Sequence, residues 1–127
     1  MNQETLKRMY TKDHEWISDS QGLVYVGISS HAISELGDIV HIELPQVGDN
    51  FKAGESFGTV ESTKTVSDIY MPGDGKVVDI NSSMQENPEA IQEDPYQKGW
   101  LIKIELKDKI KSDLLNHEDY HTYIGKS

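Results

Sequence analysis

Lys64 stands in the stretch Val60-Glu61-Ser62-Thr63-Lys64-Thr65-Val66-Ser67-Asp68, and its ε-amine can serve chemistry in two ways. As a catalytic group it needs burial or a neighbouring cation to lower its pKa. As a covalent handle it needs exposure and a rigid mount. β-favouring runs lie on both sides, Ser56 to Glu61 and Val66 to Tyr70. Strand, short turn and strand in that order predict a hairpin over residues 56–70 with the lysine at its turn. At such a tip the amine is expected to be exposed, free of local partners and open to a modifying enzyme. That suits a cofactor handle better than a catalytic lysine. Taken alone, a lysine in a hairpin turn more often only keeps a strand edge soluble, so the rest of the chain has to decide.

A chain of 127 residues is expected to form one domain, burying roughly two-thirds of the surface its unfolded form exposes. Twelve basic residues against 22 acidic ones give a net charge of -10. A nucleic-acid binder needs a basic footprint to displace counterions, so nucleic acid is excluded, and anionic membranes are disfavoured for the same reason. Partners with basic docking faces fit better. The 35% hydrophobic content and mean hydropathy of -0.60 suit a highly charged globule. Cysteine is absent, which removes disulfides, thiolate catalysis and Cys-based metal sites. Any thiol chemistry must therefore come from a cofactor. No apolar run has the length of a membrane span, and Met1 to Tyr10 lacks the features of a signal or transit peptide. A cytoplasmic protein is expected; a mature organellar form stays open.

Met1 to Asp13 reads as polar and irregular. His14 to Ser18 and Leu23 to Ile28 read as strands around the turn Asp19-Ser20-Gln21-Gly22. Ser29-Ser30 cap a short helix that Gly37 closes. Asp38 to Leu44 and Lys76 to Ile80 are further strands. Asn87 and Pro88 predict the start of a second helix that ends near Asp94-Pro95. Leu101 to Leu106 is the last strand, with Ile102 and Ile104 on one face. Leu114, Leu115, Tyr120 and Ile124 keep helical spacing, which predicts a C-terminal helix over about 112–124. Many short strands between Gly and Pro turns predict a mainly β fold, a small antiparallel sandwich or flattened barrel with short helices.

Other motifs carry less. His117-Glu118-Asp119-Tyr120-His121 matches the zinc-protease pattern H-E-x-x-H. A catalytic zinc needs three protein ligands, and none of Thr122 to Ser127 is His, Asp or Glu, so a solvated face on a terminal helix is expected. Gly73-Asp74-Gly75-Lys76 lacks the spacing of a phosphate loop. His31 and His41 read as half-buried residues without a catalytic partner, and Trp16 and Trp100 as core packing.

The ordered set of residues resembles the H protein family of the glycine cleavage system. It includes Tyr10 with His14-Glu15-Trp16, Val26-Gly27-Ile28, Leu36-Gly37-Asp38-Ile39-Val40 and Glu43-Leu44-Pro45. At its centre stand Phe57-Gly58, Val60-Glu61-Ser62, Lys64, Ser67-Asp68, Tyr70 and Pro72. Asp94-Pro95-Tyr96 and Gly99-Trp100-Leu101 complete it. The resemblance implies a single lipoyl-carrier domain over 1–127, of the lipoyl/biotinyl-carrier hybrid-motif type, monomeric and without catalysis of its own. It implies lipoate in amide linkage on Lys64, cycling through oxidised, aminomethyl-loaded and reduced dithiol states. A pyridoxal-phosphate glycine decarboxylase (P protein) would load it and a folate-dependent aminomethyltransferase (T protein) unload it. Dihydrolipoyl dehydrogenase (L protein) would reoxidise the dithiol, and a lipoate ligase or lipoyl/octanoyl transferase would attach the cofactor.

The loaded arm ends in a cationic amine that carboxylates can hold by charge-assisted hydrogen bonds. The resemblance assigns Glu15 and Asp68 to that cleft, against the plain reading of both as solvated surface carboxylates. It assigns Glu61 to recognition by the modifying enzyme, against the plain reading of an edge charge. Asp13 stands where the family more often has a small hydroxyl residue and is not carried over. Thr63 and Thr65 replace the commoner Val and Ala around the lysine, Met71 to Gly75 form an unusual turn, and Gln92 replaces Asn. These departures leave open a paralogue that carries lipoate for another system, such as lipoyl relay or sulfur oxidation.

Overall fold

Apolar residues recurring at every second position along short segments build two antiparallel sheets. The computed structural model describes residues 8–20, 22–107 and 114–125. Its strands are β1 (Met9–Tyr10), β2 (Glu15–Ser20), β3 (Leu23–Ile28), β4 (Ile39–Glu43), β5 (Asn50–Phe51), β6 (Ser56–Ser62), β7 (Val66–Tyr70), β8 (Gly75–Ile80) and β9 (Ile102–Leu106). One sheet runs β1-β2-β3-β9-β8-β5 and the other β4-β6-β7. Val26, Val77, Ile102 and Ile104 of the first sheet and Ile42, Val60 and Ile69 of the second join a single buried cluster. Each such side chain contributes about 1.5–3 kcal/mol on leaving water, and together they hold the sheets as a sandwich. Among the described residues, no helix is long and apolar enough to cross a membrane.

Helix α1 (Ser30–Leu36) forms as its caps predict. The Ser29 side chain accepts from the Ala32 amide at 3.2 Å, and Gly37 turns the chain away at a φ of 91° that favours glycine. The prediction for the second helix needs correcting. Asn87 ends a helix, α2 (Ser82–Glu86), its amide bonding to Ser83 O at 2.9 Å. Pro88 and Glu89 form a turn, and α3 (Ala90–Glu93) follows. Buried Met84 and Ile91 pin one short helix each to the core.

Two expectations at the chain ends also change. Met9–Tyr10 is a strand and not irregular, because Tyr10 pairs with Trp16 on one side and bridges Leu115 on the other. The bridge takes both backbone groups of Leu115, at 2.8 and 2.7 Å, so that residue cannot enter a helix. The C-terminal helix α4 accordingly begins at His117 and runs to Gly125, with Asn116 Oδ1 accepting from the Asp119 amide at 2.7 Å. Residues 112 and 113 of the predicted helix lie outside the described ones.

Trp16 is core, as expected, and it dictates its neighbour. Its indole N–H donates to Pro95 O at 2.9 Å, and the ring lies against Gly27 on β3 so closely that a Cβ there would overlap it. Gly27→Ala should therefore cost about 2 kcal/mol, through overpacking and strain on the buried indole bond. A thermal midpoint equal to the parent's in a melting experiment would show that the indole gives way freely. Trp100 is half-buried beside Tyr25, with ring centroids 5.4 Å apart.

Candidate functional site

The hairpin forms as β6 and β7, with Thr63, Lys64 and Thr65 exposed at its tip. Phe57, Val60 and Ile69 point into the core and orient the two strands. Gly58 sits at a register shift, where a Cβ would strike the Glu43 carbonyl on β4. The tip is tied by a residue whose role the sequence did not reveal. Ser62 is buried, and its hydroxyl accepts from the amides of Lys64 and Thr65, both at 3.1 Å. Its own amide donates to Thr65 O at 2.8 Å, and the Thr63 amide reaches Asp38 O at 3.0 Å. A serine two residues before the lysine, at the edge of the turn, is the local signal for such a side-chain cap.

Lys64 is exposed as predicted but not free of partners. Its Nζ donates to Glu35 O at 3.2 Å, and its Cε lies against Gly37. The last turn of α1 holds no basic residue of its own. Lys64 supplies, from another element, the cation that the negative end of a helix favours.

Glu61 lies three residues before the lysine, half-buried, opposite His41 on β4 and Val66 on β7. Because β6 is the central strand of its sheet, Glu61 is not an edge charge. His41 itself is exposed and not half-buried, while His31 is half-buried and bonds Glu35 Oε1 at 2.9 Å through Nε2. Gln92 takes a structural post, its Oε1 accepting from the Ile39 amide at 3.0 Å, where it fixes the start of β4.

Glu15 departs furthest from a solvated carboxylate, being only 2% exposed. Thr11 Oγ1 donates to its Oε1 at 2.6 Å, and the Tyr70 amide on β7 donates to its Oε2 at 3.4 Å. Burial pushes the carboxyl up to about 7, and the Asp13 charge adds to this, against the opposing bonds from Thr11 and Tyr70. His14, beside it, holds a φ of 72°, a left-handed conformation rare outside glycine. Its Nδ1 meets Tyr120 OH at 2.8 Å, and that hydroxyl is also 2.7 Å from Ser29 Oγ. Desolvation, then the nearby His31, lowers the His14 imidazole below its usual range.

Asp68 is exposed, two residues before Tyr70 on β7, and its Oδ1 accepts from Ser56 Oγ at 3.0 Å. Glu15 and Asp68 thus both border β7, one buried at the Tyr70 amide and one in solvent. No hydrogen bond or ion pair among the described residues joins either to Lys64. A cavity of about 360 Å³ lies elsewhere, between Arg8, Tyr96, His117 and Tyr120. His117 and His121 stack edge to face at 4.5 Å, with Tyr10 OH 3.3 Å from His117 Nδ1. No group of three or more potential ligands for a metal occurs among the described residues.

Two antiparallel sheets presenting one lysine at a tied hairpin tip define a carrier domain of the lipoyl/biotinyl type. The chain belongs to the glycine cleavage H-protein family, whose model matches residues 8–127. It is 46% identical over 118 residues to a glycine cleavage system H protein from Staphylococcus haemolyticus, covering 92% of this chain and 94% of the relative. Against the H protein of Rubrobacter xylanophilus it is 48% identical over 112 residues, covering 88% and 87%. The crystal structure of a glycine cleavage system H protein from Mycobacterium marinum aligns with a TM-score of 0.89 at 42% identity, covering 94% of this chain and 98% of that one.

Members of this family carry lipoate covalently on a lysine and act as carriers within the glycine cleavage system, not as enzymes. The residues present fit the group. Lys64 is exposed, and an amide N–H in place of its ammonium keeps a proton to donate to Glu35 O.

Proposed function

We propose that Lys64 is the lipoyl attachment residue and that the chain is a single-domain shuttle of glycine cleavage in the cytoplasm. It carries the aminomethyl group from the glycine decarboxylase to the aminomethyltransferase, then electrons to dihydrolipoyl dehydrogenase. The observation that carries this reading is the exposed Nζ at a hairpin tip whose backbone is tied by buried Ser62. Lipoate, when bound, supplies a reversible dithiol on a long flexible arm.

The chain's own residues do the rest. Glu61, fixed in the central strand, offers the attaching ligase or octanoyl transferase a carboxylate at a constant offset from the lysine. Buried Glu15, at the Tyr70 amide of β7, and exposed Asp68 on β7 are two acceptors for a cationic amine. The absence of cysteine keeps thiol exchange off the protein. The net charge of -10 favours basic faces on the enzymes that the carrier visits.

Incubation with lipoate, ATP and a lipoate ligase is expected to add one lipoyl increment by intact mass, confined on peptide mapping to the Lys64 peptide. An increment on another lysine, or none under conditions that modify a known acceptor, would overturn the assignment. The departures around the lysine also suit a paralogue serving another lipoate-dependent system. Absence of glycine-dependent turnover by the lipoylated chain with a glycine decarboxylase would favour that reading.

A further inference from the structure

Thr11 has no part in the carrier reading, yet its hydroxyl is fully committed. It is 3% exposed and lies in the tight loop between β1 and β2. The loop closes through Thr11 N to Glu15 O at 2.9 Å and His14 N to Thr11 O at 3.1 Å. The left-handed His14 bends the chain so that the amides of Asp13 and Glu15 both reach back to Thr11 Oγ1, at 3.3 and 3.1 Å. With its lone pairs taken by two amides, the hydroxyl has one direction left for its proton, and there lies Glu15 Oε1 at 2.6 Å. A threonine whose orientation the backbone has fixed thus donates to a buried carboxyl, and a bond of this kind favours the charged form.

We propose that Thr11 is a positioning residue of the arm site: it clamps the Glu15 carboxyl against β7 and keeps it an anionic acceptor for a cationic amine. The proposal rests on the assignment of Glu15 to that site. Burial and the Asp13 charge work against the anion, while the Tyr70 amide on β7 works with Thr11. The described charged group acting on Glu15 from its own loop is Asp13, and β7 adds exposed Asp68 two residues from the Tyr70 contact. Among the described residues no cation acts on Glu15 to offset them, so the hydroxyl, with the Tyr70 amide, extends the charged acceptor to lower pH. The pH range over which the site takes a cation therefore depends on Thr11.

The test is a carboxyl-carbon NMR titration of Glu15 in the unlipoylated protein and in Thr11→Val, Thr11→Ala and Thr11→Ser. Loss of the hydroxyl is expected to raise the Glu15 midpoint by about one pH unit, and serine is expected to restore it. In the lipoylated proteins, the acid limb of glycine-dependent exchange with a decarboxylase should move by the same amount in Thr11→Val and return in Thr11→Ser. An unchanged Glu15 midpoint in a folded Thr11→Val or Thr11→Ala overturns the proposal, as does failure of serine to restore it. A separate Glu15→Gln variant with full exchange activity and an unaltered acid limb would remove Glu15 from the arm site, while the NMR titration alone decides whether Thr11 controls its charge.

Discussion

Lys64→Arg is expected to fold like the parent and lose the carrier activity entirely. The side chain lies in solvent at the hairpin tip, and a guanidinium on a similar stem can keep the contact with Glu35 O. Stability should therefore stay within about 0.5 kcal/mol of the parent, as for surface changes away from caps and cores. A guanidinium stays protonated and offers no free amine to acylate. With a lipoate ligase, the variant should show no mass increment. With a glycine decarboxylase, its glycine–bicarbonate exchange should fall to the rate seen without any carrier. Residual exchange above that rate would place a second working lysine on the chain, and a collapsed thermal transition would mean that Lys64 is structural.

Glu15→Gln is expected to make the protein more stable, by an amount that grows with pH. Glu15 titrates near pH 7 in the fold against an ordinary value of 4.5, mainly because burial disfavours its charge. Between those two values the folded chain holds a proton that the unfolded chain has released, so stability falls as pH rises through this window. Above about pH 7 the penalty is complete, on the order of 3 kcal/mol. Glutamine carries no charge to desolvate, and its amide oxygen can accept from the Thr11 hydroxyl, giving up the longer bond from the Tyr70 amide. Denaturant melts at pH 4.5 should find the two proteins close together, and melts at pH 8 should find the variant ahead by roughly 2–3 kcal/mol. A gap that stays constant from pH 4.5 to pH 8 would show that the carboxyl titrates normally. A buried group that lowers stability where it is ionised is a common mark of a functional site.

The hairpin was legible in the sequence because what marks it is local: two β-favouring runs around a short turn. The caps of α1 were legible for the same reason, since Ser29 and Gly37 act on the helix they bound. What the sequence hid depends on distant partners. Glu15 looks like one more carboxylate in an acidic chain until β7, 55 residues on, places the Tyr70 amide against it. The Lys64 amine looks unpartnered until the end of α1, 29 residues back, offers it a carbonyl. Met9–Tyr10 becomes a strand by pairing with β2, and Tyr10 also bridges Leu115, whose pairing trims the terminal helix that its spacing predicted. One turn of helix brings the His117 and His121 rings of the H-E-x-x-H spelling together, and among the described residues no group of three or more potential metal ligands includes them.

The position of β6 sets how the carrier meets its partners. Hydrogen-bonded to β4 on one side and β7 on the other, it leaves the root of the lysine a fixed pivot and not a point on a drifting loop. The volume that a cofactor on Lys64 can sweep is then set by side-chain and cofactor length alone. With the cofactor on Lys64 as proposed, every enzyme that used the carrier would have to bring its active site within the same hemisphere above the hairpin. With that attachment, partners visited in turn would compete for one approach, and each would have to let go before the next could dock.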